Sequence, residues 1–469
     1  MAHSRSAQIP LGPPIPHGGY DPLRHHTAPG VLAVEPTVGP AAADLLAAAA
    51  VVELIRPYHG VLVHGDMNGD LGIAVSGGAP RPDLTMVSVA AALEAAGRTV
   101  RVRDENAHAG PAPAAARPPD LRMVKMQLAT WRDDVRYVEQ LRAAEPDVPV
   151  LMFGAVVTYL PGIDPGLAVR GDATRAVSDV LGSERLLVGA AYRLFPVDLY
   201  CDERGRPLLH LQASRGCDRT CRYCPYIRIH GRWSGRRLDE LADDIRRLDD
   251  LGVHRIQFRD QDFPSDPGHA IEAAHVVAEA SQNRMRWAVE GNLDRFTAPV
   301  LEALRTGGCD EIIIGIESTD PKVLRAARRR TLADLAERIS AVVESGLNVR
   351  GLFIVGLPED DWERLAATVR DALDLPLHAA HFSVYSPLPG ESFGTRDTVR
   401  VEDIEPHVNF YRYPTCEAMT ESEVRLAASL ADRVFIAHRA GDPSWRELLA
   451  QITRAAAHSS TLRAARPAP

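Results

Sequence analysis

The sequence predicts an α/β protein with two parallel sheets. A doubly wound domain spans residues 41–200 and a partial (β/α)6 barrel spans 201–395. An irregular arm (1–40) precedes them, and a short, mainly helical C-terminal region (396–469) follows. Three observations predict this. Apolar runs of strand length alternate with helical stretches through both segments, the pattern of parallel sheets covered on both faces. The chain has 469 residues, 45% hydrophobic and 25% charged, enough for two or three ordinary globular domains. A cysteine-rich loop, residues 216–225, directly follows the first apolar run of the second segment.

In the arm, Pro10, Pro13, Pro14 and Pro16 break any regular pattern, and the His25-His26 pair reads as a solvated loop rather than a metal site. The alanine-rich stretch 41–55 predicts one helix ending before Pro57. Apolar runs at 60–63, 99–102, 123–128 and 150–153 read as strands, with helices at 83–96 and 131–144 between them. A Rossmann-like sheet of this kind binds ligands at the carboxyl ends of its strands. Here those ends offer His64-Gly65-Asp66, Asp104-Glu105-Asn106, Thr130 and residues 154–158.

Residues 181–207 form a connection with one further apolar run, 186–191. Six strand and helix units follow, with strands at 208–213, 256–258, 286–289, 311–316, 349–355 and 381–385. The helices fall at 237–251, 270–281, 298–306, 321–328, 332–345 and 361–373. Pro299 sits in the first turn of the third helix, and Gly346 ends the fifth. Beyond the barrel, the aromatic and proline-rich segment 403–415 is expected to reach back over the barrel mouth. Residues 422–438 read as a helix, and 455–469 as a frayed end.

The formal charge of −9 argues against a nucleic-acid binder. Three of the six cysteines lie in the loop, while Cys201, Cys309 and Cys416 are scattered and suit reduced core thiols. No charged-apolar-small leader opens the chain and no run of about twenty apolar residues could span a membrane, so a cytoplasmic protein is expected.

Cys217, Cys221 and Cys224 are spaced CxxxCxxC. Three thiolates so placed suit three corners of one iron–sulfur cube and leave the fourth iron open to chelate a substrate. Zinc would need a fourth ligand at tetrahedral spacing. Only His210 and His230 are near in sequence, and Tyr223 has no use in a zinc site. Polar groups recur at the barrel strand ends: Asp260 and Asp262 after the second strand, Glu290 and Asn292 after the third, Glu317 and Ser318 after the fourth. Gly356 follows the fifth and residues 386–390 the sixth.

The cysteine loop resembles the signature of radical S-adenosylmethionine (SAM) enzymes. Residues 260–263 resemble the Asp-Asp-Asn-Phe element of a subgroup with a cobalamin-binding-like domain, with Gln261 inserted between the aspartates. Residues 315–318 and 351–359 resemble that subgroup's Gly-Ile/Val-Glu-Ser and glycine-rich motifs, and residues 81–107 and 148–162 resemble its N-terminal domain. The resemblance implies a 4Fe–4S cluster on the three cysteines whose open iron binds SAM. One electron then cleaves SAM to methionine and a 5′-deoxyadenosyl radical. It places Tyr223, Glu317, Ser318 and Gly356 around SAM. No Asp-x-His-x-x-Gly occurs, so the usual lower-axial histidine is missing, and cobalamin is left open without being favoured.

Overall length and this missing motif are similar to the radical SAM diol dehydratases that tailor aminoglycosides by 3′-deoxygenation of paromamine-like sugars. That resemblance implies Asp260, Asp262 and Glu290 as catalytic carboxylates against an amino sugar, an electron donor such as flavodoxin or ferredoxin, and a separate reductase. The alternative is a cobalamin-dependent radical SAM methyltransferase of natural-product biosynthesis. Arg328-Arg329-Arg330 reads as a solvated helix end.

Overall fold

The computed structural model describes residues 35–65, 71–75, 78–111, 117–183, 188–202, 204–389 and 399–464. The His25-His26 pair, Asp66 and Gly390 lie outside the described residues.

Strand β1 (Thr37–Val38) and helix α1 (Pro40–Ala48) lead directly into strand β2 (Val51–Arg56). The single helix expected over 41–55 is therefore two elements. Helix-favouring alanines stop at residue 50, and the β-branched Val51, Val52 and Ile55 favour an extended chain buried on both faces. A hairpin, β3 (Leu62–His64) with β4 (Ile73–Val75), stands apart from the main sheet, so the run at 60–63 is not one of its strands. Then come α2 (Leu84–Ala95), β5 (Thr99–Asp104), α3 (Glu105–His108), β6 (Leu121–Lys125), α4 (Trp131–Ala144), β7 (Val150–Phe153), β8 (Ala168–Arg170) and α5 (Ala173–Leu181). The sheet runs β1-β8-β7-β6-β2-β5, with β1 alone antiparallel. Asp83 caps α2 by accepting from the Met86 amide.

Helix α6 (Val188–Ala191) lies between α2 and α8 (Leu238–Asp250), which joins the two halves through one hydrophobic core. A β-carbon on Gly189 would stand 2.6 Å from the Asp244 carbonyl oxygen, so only glycine permits this backbone contact. The second sheet opens with β9 (Leu209–Leu211). The short strands β10 (Ser214–Arg215) and β11 (Ser234–Gly235) pair around α7 (Tyr226–His230), enclosing the cysteine loop. After α8 follow β12 (Arg255–Phe258), α9 (Pro267–Ala280), β13 (Arg286–Gly291), α10 (Ala298–Thr306), β14 (Cys309–Glu317), α11 (Pro321–Ala326), α12 (Leu335–Glu344), β15 (Asn348–Val355), α13 (Trp362–Asp374) and β16 (Ala379–Val384). The strands lie in the order β9-β12-β13-β14-β15-β16, all parallel. Each strand thus neighbours the next in sequence, which gives an open six-stranded arc whose carboxyl ends share one rim.

Helix α14 (Glu421–Arg439), started by a Thr420 and Glu423 capping box, packs on β16, and α15 (Trp445–Ala464) packs on α14. The end expected to fray from 455 is helical to 464. The segment 403–415 meets both domains, with Thr415 donating to the Gly356 carbonyl at the end of β15. Asn409 bonds to Gly72 and Ala74, and the His407 amide donates to Ala129, so part of it lies against the N-terminal domain. No helix among the described residues is long and apolar enough to cross a membrane.

Candidate active site

The cysteine loop leaves β9 through a turn that only glycine allows. Gly216 has φ +79°, and a β-carbon there would stand 2.3 Å from the Arg232 carbonyl oxygen. The end of β12 holds this turn. Asp260 accepts from the Ala213 amide (3.0 Å) and the Ser214 hydroxyl (2.5 Å), and Gln261, the inserted residue, accepts from the Gly216 amide (2.7 Å). Asp262 accepts from the Asn292 amide at 2.9 Å. Both aspartates are buried: Asp260 braces the entry to the cysteine loop, and Asp262 ties the end of β12 to the end of β13.

Burial pushes the Asp260 carboxyl up to about 7 from an ordinary 3.8. The folded chain then keeps a proton that the unfolded chain releases. The stability this group contributes is present below about pH 4 and is lost as the pH rises through about 7, each pH unit between them removing about 1.4 kcal/mol. Asp260→Asn is expected to flatten that fall, read as urea midpoints of the apoprotein at pH 5 and pH 8. Equal pH slopes in the two proteins would refute it.

Cys217 and Cys221 are buried and Cys224 is half-buried. The Arg219 amide points at Cys217 Sγ (3.4 Å), and Arg329 Nη1 lies 3.9 Å from Cys221 Sγ. Burial, with Asp262 nearby, pushes the free Cys217 thiol up to about 12, so loading a metal there must displace its proton.

Glu317 closes β14 at a register shift with φ +64°. Its Oε1 accepts from the Tyr223 hydroxyl at 2.7 Å and lies 3.6 Å from Arg329 Nη2. Arg329 also donates to the Gly315 carbonyl (2.5 Å) and to Asn292 Oδ1. Burial pushes Glu317 up, while Arg329 and the Tyr223 bond pull it back. Arg329 is therefore a site residue that sequence reasoning misses. Pattern groups it with Arg328 and Arg330, which are exposed, and the left-handed turn at Arg328 (φ +53°) leaves no sequence signal.

Ser318 is buried but faces α13, pairing with Thr368 Oγ1 (3.2 Å) and accepting from the Asp320 amide. Gly356 is required for another reason than the one expected. Its φ is +88°, and a β-carbon there would lie 2.6 Å from Val424 of α14. Gly356→Ala is expected to cost about 1–3 kcal/mol from the backbone alone and more from the clash. A thermal melt of the apoprotein checks this, with Val424→Ala in the same chain recovering only the clash. An unchanged melting temperature would contradict it.

Glu290 lies on the concave side of the arc, 3.8 Å from Arg259. Burial pushes its carboxyl up against the pull of Arg259. It lines a hollow of about 440 Å³ that also touches His64 and Arg81 of the N-terminal domain. Six arginines (Arg81, Arg204, Arg206, Arg255, Arg259 and Arg350) and four carboxylates (Asp202, Glu290, Asp310 and Glu311) line it. The expected acidic cleft is therefore absent from this hollow, since Asp260 and Asp262 do not line it. A second cavity, about 700 Å³, borders Cys221, Asn292, Ile316, Ser318 and Arg329.

Residues 211–372, from the end of β9 to α13, match the Radical SAM superfamily model. That stretch is similar to radical SAM domains. An uncharacterized methyltransferase of Pyrococcus horikoshii is 27% identical over 203 residues, 43% of this chain and 44% of its own. The ribosomal protein uS12 methylthiotransferase RimO of Porphyromonas gingivalis is 30% identical over 182 residues, 35% of this chain and 42% of its own. The chain spans less than half the length of these curated relatives. In structure it is similar to the radical SAM methyltransferase TsrM of Kitasatospora setae, with a TM-score of 0.55 at 17% identity, over 71% of this chain and 73% of that one. That likeness covers fold alone and extends beyond the radical SAM domain into the N-terminal sheet.

A radical SAM enzyme takes a 4Fe–4S cluster and SAM. The donor set here fits both: three thiols with an amide and a guanidinium aimed at sulfur, and beside them the buried Glu317 between half-buried Arg329 and Tyr223. TsrM has been solved with cobalamin and a 4Fe–4S cluster bound. In this chain the carboxyl ends of the first sheet do not fit a corrin among the described residues. Arg56, Asp83, Asp104 and Lys125 are fully buried there, with Arg56–Asp104 and Lys125–Asp83 at 3.5 Å. Tyr200 closes over Asp104 with a 2.5 Å hydrogen bond.

Proposed function

We propose that the chain is a radical SAM enzyme that takes hydrogen from a small hydroxylated molecule held inside the arc, between Glu290 of β13 and the cysteine loop at the carboxyl rim, and drives loss of water from it. When bound, the cluster and SAM supply the electron and the 5′-deoxyadenosyl radical. A carrier of the flavodoxin or ferredoxin class supplies one electron to start the cleavage and, with 5′-deoxyadenosine released, a second electron that with a proton quenches the dehydrated product radical.

The observation that carries this reading is Glu290. It is the fifth residue of β13, next to β14, and lies 3.8 Å from Arg259. A carboxyl there can serve as the acid for the leaving hydroxide.

Methyl transfer is the second reading, and the names of the relatives favour it over water loss. The packed ends of the first sheet weigh against a cobalamin route. One anaerobic reaction separates the two: reconstituted protein, reductant, methyl-labelled SAM and a panel of sugars and sugar acids, with and without cobalamin, read by mass spectrometry. Loss of water with 5′-deoxyadenosine and no cobalamin requirement is expected. Gain of the labelled methyl group would overturn it.

A further inference from the structure

We infer that Asp172, in the N-terminal domain, is a positioning residue for the cluster, bracing the cysteine loop from the opposite domain through Arg215 and His230. The inference rests on the radical SAM reading of the loop and gives the N-terminal domain a task that needs no bound cofactor.

Asp172 caps α5, taking the Arg175 amide on Oδ1 at 3.2 Å, and is buried. Its carboxylate also receives Arg215 Nη1 on both oxygens, at 3.0 and 2.8 Å, and His230 Nδ1 lies 3.2 Å from Oδ2. The remaining Arg215 nitrogens reach Gln212 Oε1 at 3.2 and 3.0 Å, so the guanidinium is held in the plane of two partners.

Both ends of the loop are gripped at once. Arg215 stands two residues before Cys217. His230 adjoins Gly231, whose carbonyl accepts the Cys217 amide at 3.2 Å. The two contacts therefore meet on one carboxylate at the strand pair β10–β11 that closes the loop. Burial opposes the charge on Asp172, but Arg215 and His230 hold its carboxyl well below the usual range, so the brace stays ionised. An ion pair at this place fixes where the first cluster thiol sits. The scattered pairs on exposed helix faces do not touch the loop.

The test compares Asp172→Asn, Arg215→Lys and Tyr200→Phe with wild type, each reconstituted anaerobically. Iron loss to a ferrous chelator is timed by the visible absorption, and EPR spectra of the reduced cluster are taken with and without SAM. Circular dichroism of the apoproteins reports folding. Asp172→Asn and Arg215→Lys are expected to lose iron at least tenfold faster and to show a weakened spectral change on adding SAM. Tyr200→Phe, which removes a buried hydrogen bond to Asp104 within the N-terminal domain and away from the cysteine loop, is expected to lose iron at the wild-type rate. Wild-type iron loss in Arg215→Lys overturns the brace, as does equal acceleration in Tyr200→Phe, which would mark general loosening. Should Asp172→Asn not fold, Arg215→Lys decides, since it keeps the charge and loses only the fork. A wild-type protein that takes up no four-iron cluster would instead sink the radical SAM reading itself.

Discussion

Cys221→Ala is expected to abolish the four-iron EPR signal of the reconstituted, reduced protein and to drop SAM cleavage below detection. A cube anchored at three corners has no spare protein ligand, and the nearby residues offer none. Cys309 and Cys416 are buried in the hydrophobic core, and Cys201 lies near the connection between the sheets, beside the Asp198 carbonyl. Alanine also removes the sulfur that Arg329 faces at 3.9 Å, so the loss extends to the SAM side of the site. Cys309→Ala provides the comparison and is expected to keep both signals. Retention of a four-iron signal in Cys221→Ala would show that the cluster uses another ligand set.

Arg329→Ala is expected to raise the SAM concentration needed for half-maximal cleavage by about a hundredfold to a thousandfold. Breaking a buried charge pair from one side costs about 3–5 kcal/mol, and each 1.4 kcal/mol is about tenfold. The substitution leaves Glu317 in a buried site with only the Tyr223 hydroxyl for a partner. It also removes the guanidinium that a SAM carboxylate would meet beside Cys221. Lysine is expected to recover part of the loss, because it restores charge without the fork that reaches Gly315 and Asn292 together. SAM titration by equilibrium binding, alongside cleavage, checks this. Unchanged affinity in Arg329→Ala would reduce the residue to a structural tie.

What is local was legible in the chain. Six apolar runs at helical separations mark the six parallel strands of the second sheet in order, because such a sheet is built by repeating one unit whose pattern is written in consecutive residues. The CxxxCxxC spacing marks three thiols together, since ligand spacing is written in neighbouring residues. Tyr223 and Glu317 were legible as polar residues of the loop and a strand end, though their hydrogen bond was not. Local pattern misled where two elements share one composition: the alanine-rich stretch before Pro57 reads as a continuous helix until neighbouring strands claim Val51 to Arg56.

What depends on distant partners was decided only by the tertiary structure. Asp260 and Asp262 read as site carboxylates because they end a barrel strand, and only the fold shows their partners: the Ala213 amide before the cysteine loop for Asp260 and the Asn292 amide after β13 for Asp262. Arg329 looks like its exposed neighbours in sequence and becomes half-buried only because the turn at Arg328 aims it at Glu317. Asp172 and Arg215 are 43 residues apart, with nothing in either segment to announce the other. Hydrophobic period and ligand spacing are properties of neighbours along the chain. The state of a buried charge belongs to whichever groups the fold brings around it, and that is settled only when both sheets have packed.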